Sequence, residues 1–420
     1  MITKKQRRIF GILKVSFVVD ITASRKLLDG AMGKRTVVVV GSGAVGLSYG
    51  CRLLEAEHIS TECDTCTHFI CRRDYDHCIS YGIRMISPDG DFYSGNDASF
   101  RSRIHKNSTT IEIPAGGVDW IVCAVKSYSL QDDASDSLRS LMTPMVGERT
   151  RFLLIMNGLG CQEKLLAWFG KKSIFVGMAF TCANRNDPSR SDAVCSENFV
   201  LVNHIAFGAL HIGHCQDDAE ELQVALNLWS HTKIASKVTI ASSLLRAQWS
   251  KLCWNIPFSG LCVALGGVTT DIIAKDPDLR FLADQIIKDT VSLANEDMRL
   301  NNTATTLPDF LDVDLVRQHC WSLTDGMGPY KPSTVLDLIG GKDIELEYIF
   351  LMPLRRAREI TRGRKQQLCG DSAATESDSA MSDWSHVETV VLQLCAIARI
   401  AVMKRESQVP WTPTYVMDDK

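Results

Sequence analysis

The sequence predicts an α/β protein in which a doubly wound, mainly parallel sheet in the N-terminal half is followed by an all-helical C-terminal half. Two observations support this prediction. In the first half, short continuous apolar runs, typical of strands buried on both faces, alternate with helical segments. Beyond about residue 235 the strand-like runs stop, and long segments with apolar residues at helical spacing follow.

Four strands are predicted in the N-terminal half. The first, residues 36–40, is a continuous β-branched run, and a glycine-rich turn and a helix-forming segment at 47–56 follow it. Further apolar runs are found at 67–71, 120–125 and 152–156. Because buried strands separated by helices are typical of doubly wound sheets, we assign residues 34–236 to a nucleotide-binding domain.

The C-terminal half is predicted to be helical. Apolar residues recur at helical spacing over 244–265, 277–298 and 345–360. Residues 369–383 are mostly Ser, Asp, Ala and Thr with little to bury, so we predict a flexible, exposed insertion there. The apolar helical pattern returns at Trp384, and the helical domain is assigned to residues 237–420.

Composition argues against two classes of partner. The 420-residue chain has 46 Lys and Arg against 49 Asp and Glu, a formal net charge of −3, so no overall field attracts nucleic acid or an anionic membrane. The longest apolar stretch, 390–403, is interrupted by Gln393 and Arg399 and is shorter than the roughly 20 residues that cross a bilayer. We therefore expect no nucleic-acid partner, no membrane partner and no transmembrane helix.

The N-terminus and the cysteines bear on location. Residues 1–33 form a basic extension, for which three interpretations stay open. It is an organelle-targeting segment, a disordered tail, or an extension that arises from gene modelling, with Met32 as the alternative start. The 15 cysteines are scattered through apolar segments, as expected for reduced thiols in a reducing compartment. We predict a cytoplasmic protein, with organelle targeting as the alternative.

The strongest motif follows the first predicted strand. It reads Gly41-Ser42-Gly43-Ala44-Val45-Gly46. Gly41 permits the tight turn, Gly43 lets the backbone approach a pyrophosphate, and Gly46 allows close packing of helix on strand. The helix N-terminus supplies unpaired N–H donors for the phosphates. The strand before the motif and the helix after it favour dinucleotide binding over a merely structural turn.

The residues after the second strand bear on the choice of cofactor. A carboxylate there binds the 2′-hydroxyl of the NAD ribose, whereas an arginine suits the 2′-phosphate of NADP. Arg72 and Arg73 stand at this place, which favours NADPH. The alternative is a solvated basic pair, one member of which Asp74 neutralises.

Two further strands end in polar residues. Lys126 closes the run before it, and Asn157 opens an Asn-Gly-Leu-Gly turn after the strand at 152–156. Ligands of such sheets bind at the carboxyl ends of the strands. Each position alone is equally consistent with an ordinary strand-to-helix turn, but two of them at one edge indicate a shared cleft.

The helical half contributes three candidates. Lys251 and Asn255 are four residues apart, hence neighbours on one helix face in apolar surroundings. Burial would let such a lysine donate a proton near neutral pH, and the competing interpretation is a lysine that extends from a core helix into solvent. Glu345 opens a predicted helix, where a carboxylate commonly interacts only with the helix dipole.

Taken together, these residues resemble the ketopantoate reductase (2-dehydropantoate 2-reductase) family over about residues 34–405. The shared motifs, in the family's order, are the glycine motif, Val125-Lys126, the turn from Asn157 to Gly160, Trp249-Ser250-Lys251 with Asn255, Pro332-Ser333, and Gly-Lys-x-x-Glu ending at Glu345. The resemblance implies an N-terminal Rossmann-type domain and a helical domain that carries substrate binding and catalysis. It also implies reduction of 2-dehydropantoate to pantoate with NADPH, in the pathway to pantothenate and coenzyme A.

Residue roles follow from the same resemblance. Lys251 matches the family's general acid and Glu345 its substrate-positioning carboxylate. Positions that contact the substrate or the cofactor match Asn157, Asn255 and Ser333, and positions that engage NADPH match Lys126 and Arg72. The expected partner is a small 2-keto acid, and a homodimer is kept open.

The chain departs from the family pattern at several positions. These are Ser259, Thr334, Lys342 and Phe350-Leu351, together with a longer connection between Gly46 and Arg72. That connection contains a C-x-x-C pair, Cys63 and Cys66, which could be redox-active or form half of a metal site. No second pair lies nearby in the sequence and the family has no such element, so we predict no metal site. The alternatives are a reductase of another 2-keto acid and a non-catalytic NADP-binding regulatory protein.

Overall fold

The structure is a computed structural model that describes residues 34–131, 137–170, 173–185, 199–301, 309–370 and 384–406. Within these ranges, strands between residues 35 and 240 form one sheet, and the chain after residue 244 is helical. The predicted fold class, a Rossmann-type sheet followed by a helical half, is confirmed. The basic extension 1–33 and residues 371–383 of the predicted insertion lie outside the described residues.

The sheet of the described chain has ten strands. They are β1 (Arg35–Val40), β2 (Thr65–Ile70), β3 (Ile83–Ile86), β4 (Phe92–Tyr93), β5 (Ile104–His105), β6 (Trp120–Cys123), β7 (Arg151–Leu154), β8 (Ile174–Arg185), β9 (Val200–His214) and β10 (Val238–Ile240). Their order is β4-β3-β9-β8-β7-β6-β1-β2-β5, with β10 paired to β9. The β3/β4 and β8/β9 pairs are antiparallel, and the other pairs are parallel.

The four strands that the sequence predicts are neighbours in this sheet, in the order β7-β6-β1-β2. β1 and β6 are buried along almost their whole length, because helices cover both faces. The expectation that strands end near residue 235 is wrong, since β10 adds three residues at 238–240. Two of these three residues are exposed, so β10 lacks the continuous apolar run that marks a buried strand.

Fourteen α-helices are found in the described residues. The N-terminal half contains α1 (Ala44–Ile59), α2 (Tyr75–Tyr81), α3 (Ala98–Arg101), α4 (Leu138–Met142), α5 (Cys161–Phe169) and α6 (Ala219–Leu228). The C-terminal half contains α7 (Leu244–Trp254), α8 (Gly260–Ala264), α9 (Thr270–Lys275), α10 (Pro277–Leu300), α11 (Val313–Met327), α12 (Ser333–Ile339), α13 (Met352–Gly370) and α14 (Ser385–Glu406).

Three predicted helix boundaries need correction. The segment 244–265 is interrupted by a π-helical turn at Asn255–Ser259, because Pro257 has no N–H group with which to continue an α-helix. Glu345 does not open a helix: it precedes a second π-helical turn, Glu347–Leu351, that leads into α13. Helix α13 extends to residue 370, so residues 369 and 370 belong to a helix and not to the predicted loop.

The helical core lies directly against the loop that follows β7. Leu159 of this loop belongs to the cluster of buried residues in the helical half. Its N–H donates to the Tyr348 carbonyl at 2.8 Å, and Tyr348 in turn packs on one face of the sheet. The carboxyl end of β7 is therefore fixed to the helical half.

Helix α14 differs from the prediction that the chain contains no membrane-spanning helix. Between Ser385 and Met403 it is long enough and apolar enough to cross a bilayer, by length and composition alone. One of its faces, which includes Val387, Val391 and Leu394, is buried in the helical core. Only 22% of this stretch is buried, however, and a single helix that meets these criteria is weak evidence of a membrane span.

The close packing of α1 on the sheet generates a stability prediction. A Cβ on Gly50 of α1 would lie 2.6 Å from Cε1 of Phe69 and 3.1 Å from Cγ2 of Val39. Overpacking should therefore cost Gly50→Ala about 1–3 kcal/mol, and the gain in helix propensity returns roughly 1 kcal/mol, so a net loss of up to about 2 kcal/mol in unfolding free energy is expected. The midpoint of urea denaturation measures this loss.

Gly326 of α11 is the matched control, because nothing lies within 4 Å of the Cβ that a substitution would add. Gly326→Ala should leave the denaturation midpoint unchanged or slightly raised. Equal midpoints for the two variants would contradict the described contact between α1 and the sheet.

Candidate active site

The glycine motif forms the turn between β1 and α1. Gly41 has a φ of +114°, and a Cβ there would lie 2.9 Å from the Ala124 carbonyl oxygen. A Cβ on Gly46 would lie 2.0 Å from the Gly41 carbonyl oxygen, so both glycines are needed for α1 to begin close to the sheet. Nothing lies within 4 Å of the Cβ position of Gly43, which is exposed.

The open side of Gly43 is suited to an anion. Gly43 is the N-cap residue of α1, and as a glycine it has no side chain that could cap the first turn of this helix. The first N–H groups of a helix lack partners within the helix and carry the positive end of its dipole. This turn therefore fits the pyrophosphate of a dinucleotide, as the sequence predicts.

The residues after β2 form a cluster around the buried carboxylate of Asp74. One oxygen, Oδ1, lies 2.5 Å from Nη2 of Arg185, and the other accepts a hydrogen bond from Ser42 Oγ at 2.7 Å. Arg73 Nε is farther from the carboxylate, at 3.7 Å. Arg72 and Arg73 are exposed, and Arg72 has no ion pair within the described ranges. The main partner of Asp74 is thus Arg185, from the end of β8.

A second charged cluster joins the sheet to the helical half. Lys126 follows β6, and its Nζ lies 2.5 Å from Asp337 Oδ2 on α12 and 3.4 Å from Glu345 Oε2. The N–H of Ser127 donates to the other oxygen of Glu345 at 2.9 Å. Glu345 is 4% exposed. Two donors from the N-terminal half therefore fix the orientation of the Glu345 carboxylate.

The groups in this second cluster shift one another's pKa values. Burial lowers the pKa of the Lys126 ammonium, but Glu345 and Asp337 raise it by more, so the result lies above the usual value. Burial raises the pKa of the Asp337 carboxyl, and the Lys126 ammonium offsets part of that rise. Lys126 is consequently charged at neutral pH, with a carboxylate on either side.

Lys251 connects α7 to the sheet. Its Nζ donates to the Ala179 carbonyl on β8 at 2.8 Å and lies 5.3 Å from the centre of the Phe180 ring. Burial lowers the pKa of Lys251 to about 8, and the Glu345 carboxylate acts in the opposite direction. The ammonium therefore lies at the junction of the two halves and can give up its proton near neutral pH.

The three remaining candidates, Asn157, Asn255 and Ser333, make no hydrogen bond to Lys251 or Glu345 in the described part of the chain. Asn157 follows β7, in a loop whose next residue, Gly158, has a φ of +113° and contacts the helical half. Asn255 is 8% exposed and begins the π-helical turn directly after α7. Ser333 is the exposed first residue of α12.

The sequence analysis assigned no role to three residues that the structure places in these clusters. Asp337 lies four residues after Ser333, so helix spacing puts both on one face of α12 and was a usable signal. Ser127 contributes a backbone N–H, which no residue type reveals. Arg185 is 111 residues from Asp74, and no local pattern connects two positions so far apart.

Comparison with known proteins identifies the family. The model described as ketopantoate reductase PanE/ApbA matches residues 37–210, and the model of its C-terminal part matches residues 243–362. A curated 2-dehydropantoate 2-reductase from Nostoc sp. is 25% identical over 333 residues, which cover 78% of this chain and 91% of the relative.

Solved structures agree with this result. The crystal structure of 2-dehydropantoate 2-reductase from Geobacter metallireducens is 26% identical with a TM-score of 0.65, and the match covers 86% of this chain and 99% of that one. D-mandelate dehydrogenase in complex with NADH and anilino(oxo)acetate shares the fold at 16% identity and a TM-score of 0.64, over 88% of this chain and 99% of that one. The chain therefore belongs to the ketopantoate reductase family of oxidoreductases.

Proposed function

We propose that this chain reduces 2-dehydropantoate to (R)-pantoate with NADPH, in pantothenate and coenzyme A biosynthesis. The observation that carries the proposal is the position of Lys251, whose ammonium reaches across from the helical half to the sheet half. Its pKa, lowered by burial to about 8, suits a general acid at neutral pH. The motifs shared with the family supply the substrate class.

Lys251 has two tasks in this reaction. A nicotinamide cofactor held at the glycine turn would supply the hydride that the ketone carbon of the substrate receives. Negative charge then develops on the ketone oxygen, and the Lys251 ammonium stabilises that charge and delivers a proton to the oxygen. The aromatic face of Phe180 and the Ala179 carbonyl hold the ammonium in place before reaction.

Glu345 acts as a positioning residue. Its carboxylate is fixed by the Ser127 N–H and by Lys126, and its charge favours the protonated form of Lys251. Asn157, Asn255 and Ser333 can hold the hydroxyl and carboxylate ends of the substrate by hydrogen bonds. Such positioning sets the geometry in which hydride and proton are transferred.

The preference for NADPH is supported by the charges beside the glycine motif. Arg72 and Arg73 are exposed, so their guanidinium groups are free to approach a 2′-phosphate. The carboxylate of Asp74 is buried, and both of its oxygens already have partners. It is therefore poorly placed to accept a hydrogen bond from the 2′-hydroxyl of NADH.

The direct test measures NADPH oxidation by the purified protein with 2-dehydropantoate and a panel of other 2-keto acids. The proposal predicts the highest kcat/KM for 2-dehydropantoate. Equal or higher kcat/KM for another acid would support the alternative reductase. NADPH binding without reduction of any acid in the panel would support a regulatory protein.

Replacing Lys251 tests the general acid. Lys251→Ala should lower kcat by about 10²-fold or more with little change in NADPH affinity, because general acid catalysis contributes roughly 10²- to 10⁴-fold. In the wild type, kcat/KM should fall as the pH rises through about 8, where the ammonium of the free enzyme loses its proton, and the variant should lack this fall.

Lys275→Ala serves as the control for this variant, since Lys275 is an exposed residue of α9 that pairs with Asp271 in the same helix. Its kcat and pH profile should match the wild type. A Lys251→Ala enzyme with near wild-type turnover would refute the role of Lys251 as the acid.

Replacing Arg72 tests the cofactor preference. Arg72→Ala should weaken NADPH binding by about tenfold or more and NADH binding far less, since only NADPH carries the phosphate that the guanidinium binds. Dissociation constants from protein fluorescence titration measure both effects. Arg73→Ala is the matched comparison, and an unchanged preference in Arg72→Ala would transfer the role to Arg73 or to another residue.

A further inference from the structure

Arg185 stands at the end of β8, far along the chain from the glycine motif, yet it binds this motif directly. Its side chain is 9% exposed. One guanidinium nitrogen donates to the Ser42 carbonyl at 2.8 Å, and the other lies 2.5 Å from Asp74 Oδ1. Ser42 Oγ completes the cycle by donating to the second oxygen of Asp74. The end of β8 is thus tied to the turn between β1 and α1.

The position of Asp74 makes this contact informative. A carboxylate just after the second strand of a Rossmann-type sheet is the group that selects the ribose 2′-hydroxyl of NAD. Asp74 stands four residues beyond β2 and bonds to the glycine turn through Ser42, so it lies where such a carboxylate could act. Arg185 and Ser42 instead engage one oxygen each, and the carboxylate is buried.

We propose that Arg185 is a specificity-determining residue, which selects NADPH over NADH by neutralising Asp74 and holding it in the cycle with Ser42. The inference rests on the proposed use of NADPH. In this arrangement Arg73 and Arg185 both pair with Asp74, and the exposed Arg72 adds a further positive charge nearby in the chain, so the four side chains together carry net positive charge. A net positive charge attracts the dianionic 2′-phosphate, which a free carboxylate would repel.

The bonding of Arg185 is consistent with a role beyond packing. Its Nε is buried and has no hydrogen-bond partner among the described residues. A buried donor without a partner is costly. The guanidinium is therefore oriented so that its two terminal nitrogens meet Asp74 and the Ser42 carbonyl, at the expense of its own third donor.

The test is a cycle of variants at Asp74 and Arg185. Dissociation constants for NADPH and for NADH are measured by fluorescence titration for the wild type, Arg185→Ala, Asp74→Asn and the double variant. Arg185→Ala should lower the preference for NADPH about tenfold or more, because the freed Asp74 repels the phosphate and accepts from the 2′-hydroxyl. In the double variant the preference should return to within about threefold of the wild type, since the repelling charge is gone.

Arg151→Ala is the matched control. Arg151 also forms a close ion pair with a carboxylate, Glu221, but it stands at the start of β7, whereas Arg185 stands at the end of the parallel neighbour β8. Its loss should leave the ratio of the two dissociation constants unchanged. If Arg185→Ala does not fold, Arg185→Gln takes its place in the cycle, because glutamine can still hydrogen-bond to Asp74 but does not neutralise it, and the same loss of NADPH preference is expected.

Three outcomes overturn the inference in distinguishable ways. An Arg185→Ala protein with an unchanged preference would show that Arg185 has no influence on it, and the use of NADPH would stand. An equal loss of affinity for both nucleotides that Asp74→Asn does not rescue would assign Arg185 a structural role. A wild-type protein that prefers NADH would overturn the proposed cofactor together with this inference.

Discussion

The interaction on which the site depends is the contact of Lys126 with two buried carboxylates. Asp337 and Glu345 come from the helical half, whereas Lys126 and the N–H of Ser127 come from the loop after β6. Burying a carboxylate is unfavourable unless it is paired and hydrogen-bonded. The helical half provides the two carboxylates, and the N-terminal half provides the ammonium and the N–H group that pair with them. The orientation of Glu345, and with it the electrostatic environment of Lys251, follows from this contact.

A steric constraint at the carboxyl edge of the sheet complements that charge constraint. Gly41 and Gly46 allow β1, α1 and the residues after β6 to approach more closely than side chains would permit. Gly158 does the same after β7, where a Cβ would lie 2.5 Å from the Cβ of Tyr348. Tight turns after β1 and β7 thus let the carboxyl ends of these strands, the usual ligand position in such sheets, lie close to the neighbouring elements.

The surroundings of Asp74 show why local order is an incomplete guide to cofactor choice. In the sequence, Arg72, Arg73 and Asp74 are adjacent, and only their mutual pairing can be considered. In the folded chain the main ion pair of Asp74 is with Arg185, and the two neighbouring arginines, Arg72 and Arg73, remain exposed. Electrostatic selectivity depends on which charges are paired and buried, and pairing across 111 residues is a property of the sheet order.

Four neighbouring strands, the glycine turn and the helical half are predictable from chain order, because burial periodicity and glycine requirements are local and leave their pattern in adjacent residues. The order of the motifs also indicates the family and points to Lys251 and Glu345, which the structure couples electrostatically. The long β8/β9 pair, the contact of Asp337 with Lys126 and the partner of Asp74 became known from the folded chain alone. These three contacts join residues that are far apart in the sequence. No local pattern of neighbouring residues reveals that such residues are close in space.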